Sequence, residues 1–272
     1  MAGAKGGRGA DADPANTDSV ARQAAEVAVE LSEARGEEER KRAARGLRGI
    51  AVRVSSAATS AAATARRGAG SAGRGLTAGL NWLTAQVLAM GPRLRIRDQA
   101  TLRAQFPGRS DDEIGTLLIE RAARSAAAVG GATGAWAALP SLPAFPAEVA
   151  AETLAVVGIE IKLVAELHEI YGMAAEGNAA DRARAYIGAW ATRRGVYQVE
   201  GGLLLVAGSP LARQLTRRLA GRVRRSTLSL APLFTGAVAG AVFNRRYTRR
   251  LGLEMRDDLR RHRQTFTATV VG

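Results

Sequence analysis

The side chains able to do chemistry concentrate in one stretch, residues 146–171, reading PAEVAAETLAVVGIEIKLVAELHEIY. At 100° per residue, Glu148, Glu152, Lys162, Glu166 and Glu169 share about a quarter to a third of a helix surface. That arc is expected to be a solvated or ion-paired face. Glu160 and His168 fall off it, among Val149, Val156, Val157, Ile161, Val164 and Tyr171. A carboxylate and an imidazole on an apolar face need partners. In one reading they form a proton-transfer pair or a foothold for a metal. In the other, Glu160 pairs with an arginine from a neighbouring helix and His168 bonds to backbone. Two turns, ~12 Å of helix, separate them, so they do not touch directly. Glu160, Glu166, His168 and Tyr171 make up the candidate buried polar site. It would serve a small-ligand carrier or an enzyme.

Motifs for recognisable catalysis are missing. His168-Glu169 lacks the second histidine of HExxH, and Ala165 removes a Glu-x-x-His pair. With only His168 and His262 in the chain, a zinc site is not expected. There is no G-x-S-x-G and no GxxxxGK[ST]. Gly130-Gly131-Ala-Thr-Gly134 has no preceding strand and is weak as a nucleotide loop. The chain has no cysteine, which excludes disulfides and thiolate chemistry and fits a reducing cytosol. No cofactor is expected, and the leading expectation is a non-enzymatic protein.

Two stretches carry no charge: 125–147 (SAAAVGGATGAWAALPSLPAFPA) and 226–244 (STLSLAPLFTGAVAGAVFN). Each holds a small-xxx-small pair, Gly130/Gly134 and Gly236/Gly240. Such pairs let helix backbones approach closely. Trp136, Pro140, Pro143, Pro232 and Phe234 complete the candidate membrane or helix-packing set. The prolines forbid a continuous helix through the first stretch. A bilayer span needs ~20 mainly apolar residues, and neither stretch supplies them cleanly. A buried or interfacial helical hairpin is therefore expected in preference to a crossing.

The net charge is +14 over 272 residues. A GC-rich genome would by itself enrich Ala, Gly and Arg. Codon bias does not explain the placement: 14 arginines lie between Arg213 and Arg263, against Glu254, Asp257 and Asp258. Arg217, Arg224, Arg225, Arg245, Arg246, Arg249 and Arg250 are the candidate contacts for anions or lipid headgroups. DNA phosphates could use the same side chains. The sparse aromatics there argue against base stacking. A solvated arginine face is the remaining reading.

The elements that must position these residues read as helices. Residues 1–17 are expected to be a disordered tail. Helices are predicted at 18–34 and 37–45, with a loosely held Ala-rich helix over 51–74 and an amphipathic one at 76–90. A compact domain is expected from Ile96 to the end. In it, Asp98–Gln105 forms a short helix, and Ser110/Glu113 form a capping box for the next. Further helices are predicted at 146–171, ended by Gly172, at 179–194, capped by Asn178, and at 233–263. No period-two strand runs are evident. The fold class is all-α: a helical bundle with Gly/Pro-rich hairpins and a partly disordered N-terminal extension, with 18–95 an Ala/Arg-rich helical region.

From Ile114 onward the order of features resembles the EcsC family of bacterial proteins. The matching text is VGGATGAWAALP, VGIEIKLVAELHEIYG, DRARAYIGAW and APLFTGAVAGAVFNRRYTRR. It covers roughly the last 160 residues. The family often has an aspartate before the first proline, where this chain has Leu139. The resemblance implies a membrane-associated accessory role, possible in transport or envelope processes, and supplies no catalytic residues. The expected partner is an anionic membrane surface, with a protein partner or second copy as further options and nucleic acid as the alternative. The expected location is cytoplasmic, peripheral to the inner face of the membrane; the N-terminus lacks the apolar core of a signal peptide.

Overall fold

The computed structural model describes residues 14–65, 82–136, 145–194, 196–199, 202–205 and 234–271. Pro140, Pro143, Pro232, Arg217, Arg224, Arg225 and the first 13 residues of the expected tail lie outside these. The described residues form eight α-helices: α1 (Pro14–Glu33), α2 (Glu37–Ala65), α3 (82–90), α4 (Gln99–Gln105), α5 (Asp111–Trp136), α6 (Phe145–Ile170), α7 (Ala179–Arg194) and α8 (Phe234–Val271). The class is all-α, as the sequence predicts. One short antiparallel pair, β1 (Val196–Val199) and β2 (Gly202–Leu205), follows α7, with Val196 opposite Leu205. Strands of four residues are too short to display a period of two, so the sequence did not announce them.

Local chemistry sets the helix ends. The Asp98 side chain accepts from the Thr101 amide (2.8 Å) and caps α4. Ser110 and Glu113 close a capping box at α5: the Ser110 amide donates to Glu113 Oε2 (2.9 Å) and the Glu113 amide to Ser110 Oγ (3.3 Å). Asn178 Oδ1 accepts from the Ala180 and Asp181 amides at the start of α7. At the end of α6, Met173 N–H bonds to His168 O and Gly172 N–H to Glu169 O. Gly172, at φ +74°, supplies the left-handed turn this Schellman motif requires.

The bundle is built around α6. Every residue from Ala147 to Leu167 is buried. A helix apolar on nearly all sides can be satisfied only by neighbours on all sides. The neighbours are α1, α2, α5, α7 and α8. Antiparallel α5 sets Gly115 against Leu167 and Tyr171 of α6. α8 runs antiparallel to α5: Gly240 meets Gly130, Gly252 meets Ile119, and Arg260 reaches Asp112. α1 brings Ala28 onto Gly158, and α2 lies antiparallel to α1 with Gly46 on Val27.

Two boundaries differ from expectation. Residues 37–45 and the described part of 51–74 belong to one helix, α2, anchored by Leu47, Ile50 and Val54. One hydrophobic cluster unites Val20, Leu31 and Leu47 with Leu154, Ile159 and Leu163, so packing runs across the boundary expected near Ile96. Many core positions are alanine, which buries little area per residue; close helix approach compensates. Gly130 and Gly240 show this directly: a Cβ at Gly240 would lie 2.5 Å from the Gly130 carbonyl oxygen. The two uncharged stretches thus pack against each other. Gly134 and Trp136 close α5, and Phe234 and Gly236 open α8.

Candidate functional site

The polar arc of α6 is not solvated. Glu148, Glu152, Lys162, Glu166 and Glu169 are all buried, and Lys162 is fully so. This corrects the expectation of a solvated face; ion pairing is what the arc retains. Buried charges need bonded partners, and three clusters supply them along the helix.

The first centres on Glu160, 2 % exposed. It accepts from Trp190 Nε1 (2.9 Å), Arg194 Nε (3.0 Å) and Thr248 Oγ1 (2.9 Å), and from Arg194 Nη2. The Arg194 guanidinium also lies over the Tyr247 ring. One carboxylate thereby joins α6, α7 and α8. Two turns towards the N-terminus, Asn244 Nδ2 donates to Glu152 Oε1 (3.0 Å).

The second centres on Glu166. Arg97 grips it with Nε (2.7 Å) and Nη2 (2.6 Å), and Lys162 Nζ adds a bond of 2.6 Å. Lys162 also bonds to the Arg95 carbonyl and lies 3.4 Å from Glu33. Burial pushes the Glu166 carboxyl up, but Arg97 and Lys162 together outweigh it and hold it below the usual carboxylate value. The folded pKa is therefore below the unfolded one. The stabilisation is present above the ordinary glutamate value of about 4.3 and is lost as pH falls through the folded value. Glu166→Gln is expected to lower the urea midpoint at pH 7 and to bring the variant's acid limb closer to wild type as pH falls to about 3. A constant difference between the two curves would contradict this.

The third holds Glu169. It accepts from Tyr186 Oη (3.0 Å) and from Arg182. Tyr186 in turn accepts from the Ala175 amide (3.0 Å). Tyr171 donates to Asp112 Oδ1 (2.7 Å), and burial followed by that carboxylate raises its pKa.

His168 takes the bland option. Its Nδ1 donates to the Val164 carbonyl (2.7 Å), and its ring packs on Tyr186 at a centroid distance of 5.6 Å. Burial holds it below the usual imidazole value, against the opposing Val164 bond and Glu169 charge. The structure does not bring Glu160, Glu166, His168 and Tyr171 into one site. Each has its own partners, and the four bonds to Glu160 leave its carboxylate little capacity for a substrate. Among the described residues no group of His, Cys, Asp or Glu could hold a metal. A cavity of about 10 Å³ lies beside Glu166, room for one water.

Among the described residues, the C-terminal arginines are mostly engaged. Arg249 pairs with Glu120, Arg250 with Glu254, Arg256 with Asp257, Arg260 with Asp112 and Arg263 with Asp111. Arg245 lies 3.7 Å from Glu120, and Arg246 is exposed. Sequence reasoning missed Arg97, Trp190, Arg194 and Thr248. A signal existed for two of them: Trp190 and Arg194 stand one turn apart on α7 and so share a face.

No protein-family model matches the chain, and no curated protein or solved structure is significantly similar to it.

Proposed function

We propose that the protein associates peripherally with an anionic membrane surface through the uncharged part of α8. The observation that carries this is on α8. Val238 and Val242, one turn apart, are 61 % and 59 % exposed within a stretch free of charge. Exposed apolar side chains in such a pair gain by entering a lipid interface. Residues 234–244 extend ~16 Å, about one leaflet of a hydrocarbon core ~30 Å thick. No helix among the described residues is long and apolar enough to cross a membrane, and the contact proposed is an interfacial one. Arg246 follows on α8 and is exposed, placed to meet a headgroup at about 1 kcal/mol near the surface, beside Arg245 and Arg249, which share Glu120. The resemblance to the EcsC family points the same way, and the surface proposed is the inner leaflet, where anionic lipid is found.

Flotation of the full chain with neutral and anionic vesicles, at about 0.1 M and about 1 M salt, tests this. Binding to anionic vesicles that partly survives high salt is expected. Val238→Asp with Val242→Asp removes the surviving part without disturbing the core, since both side chains face outward. No flotation in any condition would sink the proposal. A shift of DNA with steep salt dependence and no flotation would favour nucleic acid instead.

A further inference from the structure

Four arginines, Arg35, Arg40, Arg121 and Arg124, stand on the elements that meet where the α1–α2 turn packs on α5. Ser125 Oγ donates to the Leu31 carbonyl and so fixes the end of α1 beside Arg121 and Arg124. Three residues on, the Ala34 carbonyl accepts from Arg40 Nη2 (3.1 Å). Arg35 lies between. Among the described residues, none of Arg35, Arg40, Arg121 and Arg124 forms an ion pair with a carboxylate. Arg121 lies over the Phe106 ring at 4.7 Å, and Arg124 Nε donates to the Glu120 carbonyl.

Arg40 is the sharpest anomaly. It is only 8 % exposed, yet its Nε has no partner. A buried guanidinium without a counter-ion is rare and costly. The nearest carboxylates are committed elsewhere: Glu37 and Glu38 to Lys41, and Glu39 to the Arg35 amide (2.6 Å). Burial and then Arg124 lower the pKa of Arg40, with Glu37 and Glu39 acting against them; burial and then Arg97, Arg124, Arg35 and Arg40 lower that of Arg121. Arg121 also lines the small cavity walled by Ser32, Arg97, Lys162 and Glu166. Cations crowd this place on two sides.

We propose that Arg40, Arg121 and Arg124, with Arg35 at the rim, bind one phosphate group, free or as a monoester. Guanidinium forks match the oxygens of a tetrahedral anion, and several can share one dianion. The bound phosphate supplies the direct ion pair that Arg40 lacks and an acceptor for its Nε. The site is separate from Val238 and Val242 and does not rest on the membrane reading.

The test compares thermal midpoints of the full chain in inorganic phosphate and in chloride at equal ionic strength. Wild type is expected to gain about 5 °C at saturating phosphate and none from chloride. Arg121→Gln and Arg124→Gln lose the gain. In chloride, Arg124→Gln is expected to unfold no earlier than wild type, because an exposed like charge has been removed, and this separates a lost site from a lost fold. Arg184→Gln, on the exposed side of α7, keeps the gain, as does the Val238/Val242 double variant. No gain in wild type, or an equal gain in the two site variants, overturns the proposal. Vesicles of phosphatidylcholine with phosphatidic acid or with phosphatidylglycerol then identify the source. Retention on phosphatidic acid lost in Arg121→Gln marks a lipid phosphate; retention unchanged marks a water-soluble one.

Discussion

Glu160→Ala is expected to cost about 3–5 kcal/mol of folding stability, the range for breaking a buried ion pair. The loss has three parts in the structure. Arg194, 5 % exposed, keeps its charge but loses its carboxylate. Trp190 Nε1 and Thr248 Oγ1 lose their acceptor in a site closed to water. Three helices lose the atom that joins them. Glu160→Gln is close in shape, yet it is also expected to destabilise. Its single amide oxygen can serve only some of the donors, and its NH2 group would face Arg194, donor against donor. Replacing both Glu160 and Arg194 by methionine is expected to recover part of the loss, because no unpaired charge is then buried. Urea unfolding followed by circular dichroism reads all three. A loss below about 1 kcal/mol for Glu160→Ala would show that water or a rearranged side chain serves Arg194 instead.

Much of the scaffold was legible because its signals are local. The Ser110/Glu113 box, the Asn178 cap and the Gly172 stop are each decided within four residues, and the structure contains all of them. The burial of the α6 carboxylates was not legible. Helical-wheel reasoning assigns a charged arc to solvent unless partners are known, and these partners come from afar. Arg97 is 69 positions from Glu166, and Asn244 is 92 from Glu152. The partners of the described C-terminal arginines were hidden for the same reason: Asp111, Asp112 and Glu120, which meet Arg263, Arg260 and Arg249, sit on α5, outside the stretch from Arg213 to Arg263. Of the two readings offered for Glu160 and His168, the arginine pair and the backbone bond are what the fold contains.

The glycine pairs allow a sharper test, because two adjacent residues should respond with opposite signs. In an ordinary helix Gly→Ala gains up to about 1 kcal/mol from backbone entropy. At Gly131 an added Cβ meets the Ala241 methyl at 3.8 Å, ordinary contact, so Gly131→Ala should stabilise by about 0.5–1 kcal/mol. At Gly130 the same Cβ runs into the carbonyl of Gly240 and lies 2.7 Å from Asn244 Nδ2. Backbone cannot rotate away as a side chain can, so α8 must move off α5. That movement pulls on Asn244 and Thr248, whose bonds to Glu152 and Glu160 tie α8 to the central helix. Gly130→Ala is therefore expected to lose about 1–3 kcal/mol net, overpacking outweighing the helix gain. Gly130→Leu should lose more and weaken hydrogen-exchange protection in α8 first. Equal effects at the two positions would mean that α5 and α8 do not approach this closely in solution, and the close Gly130–Gly240 contact would have to be given up.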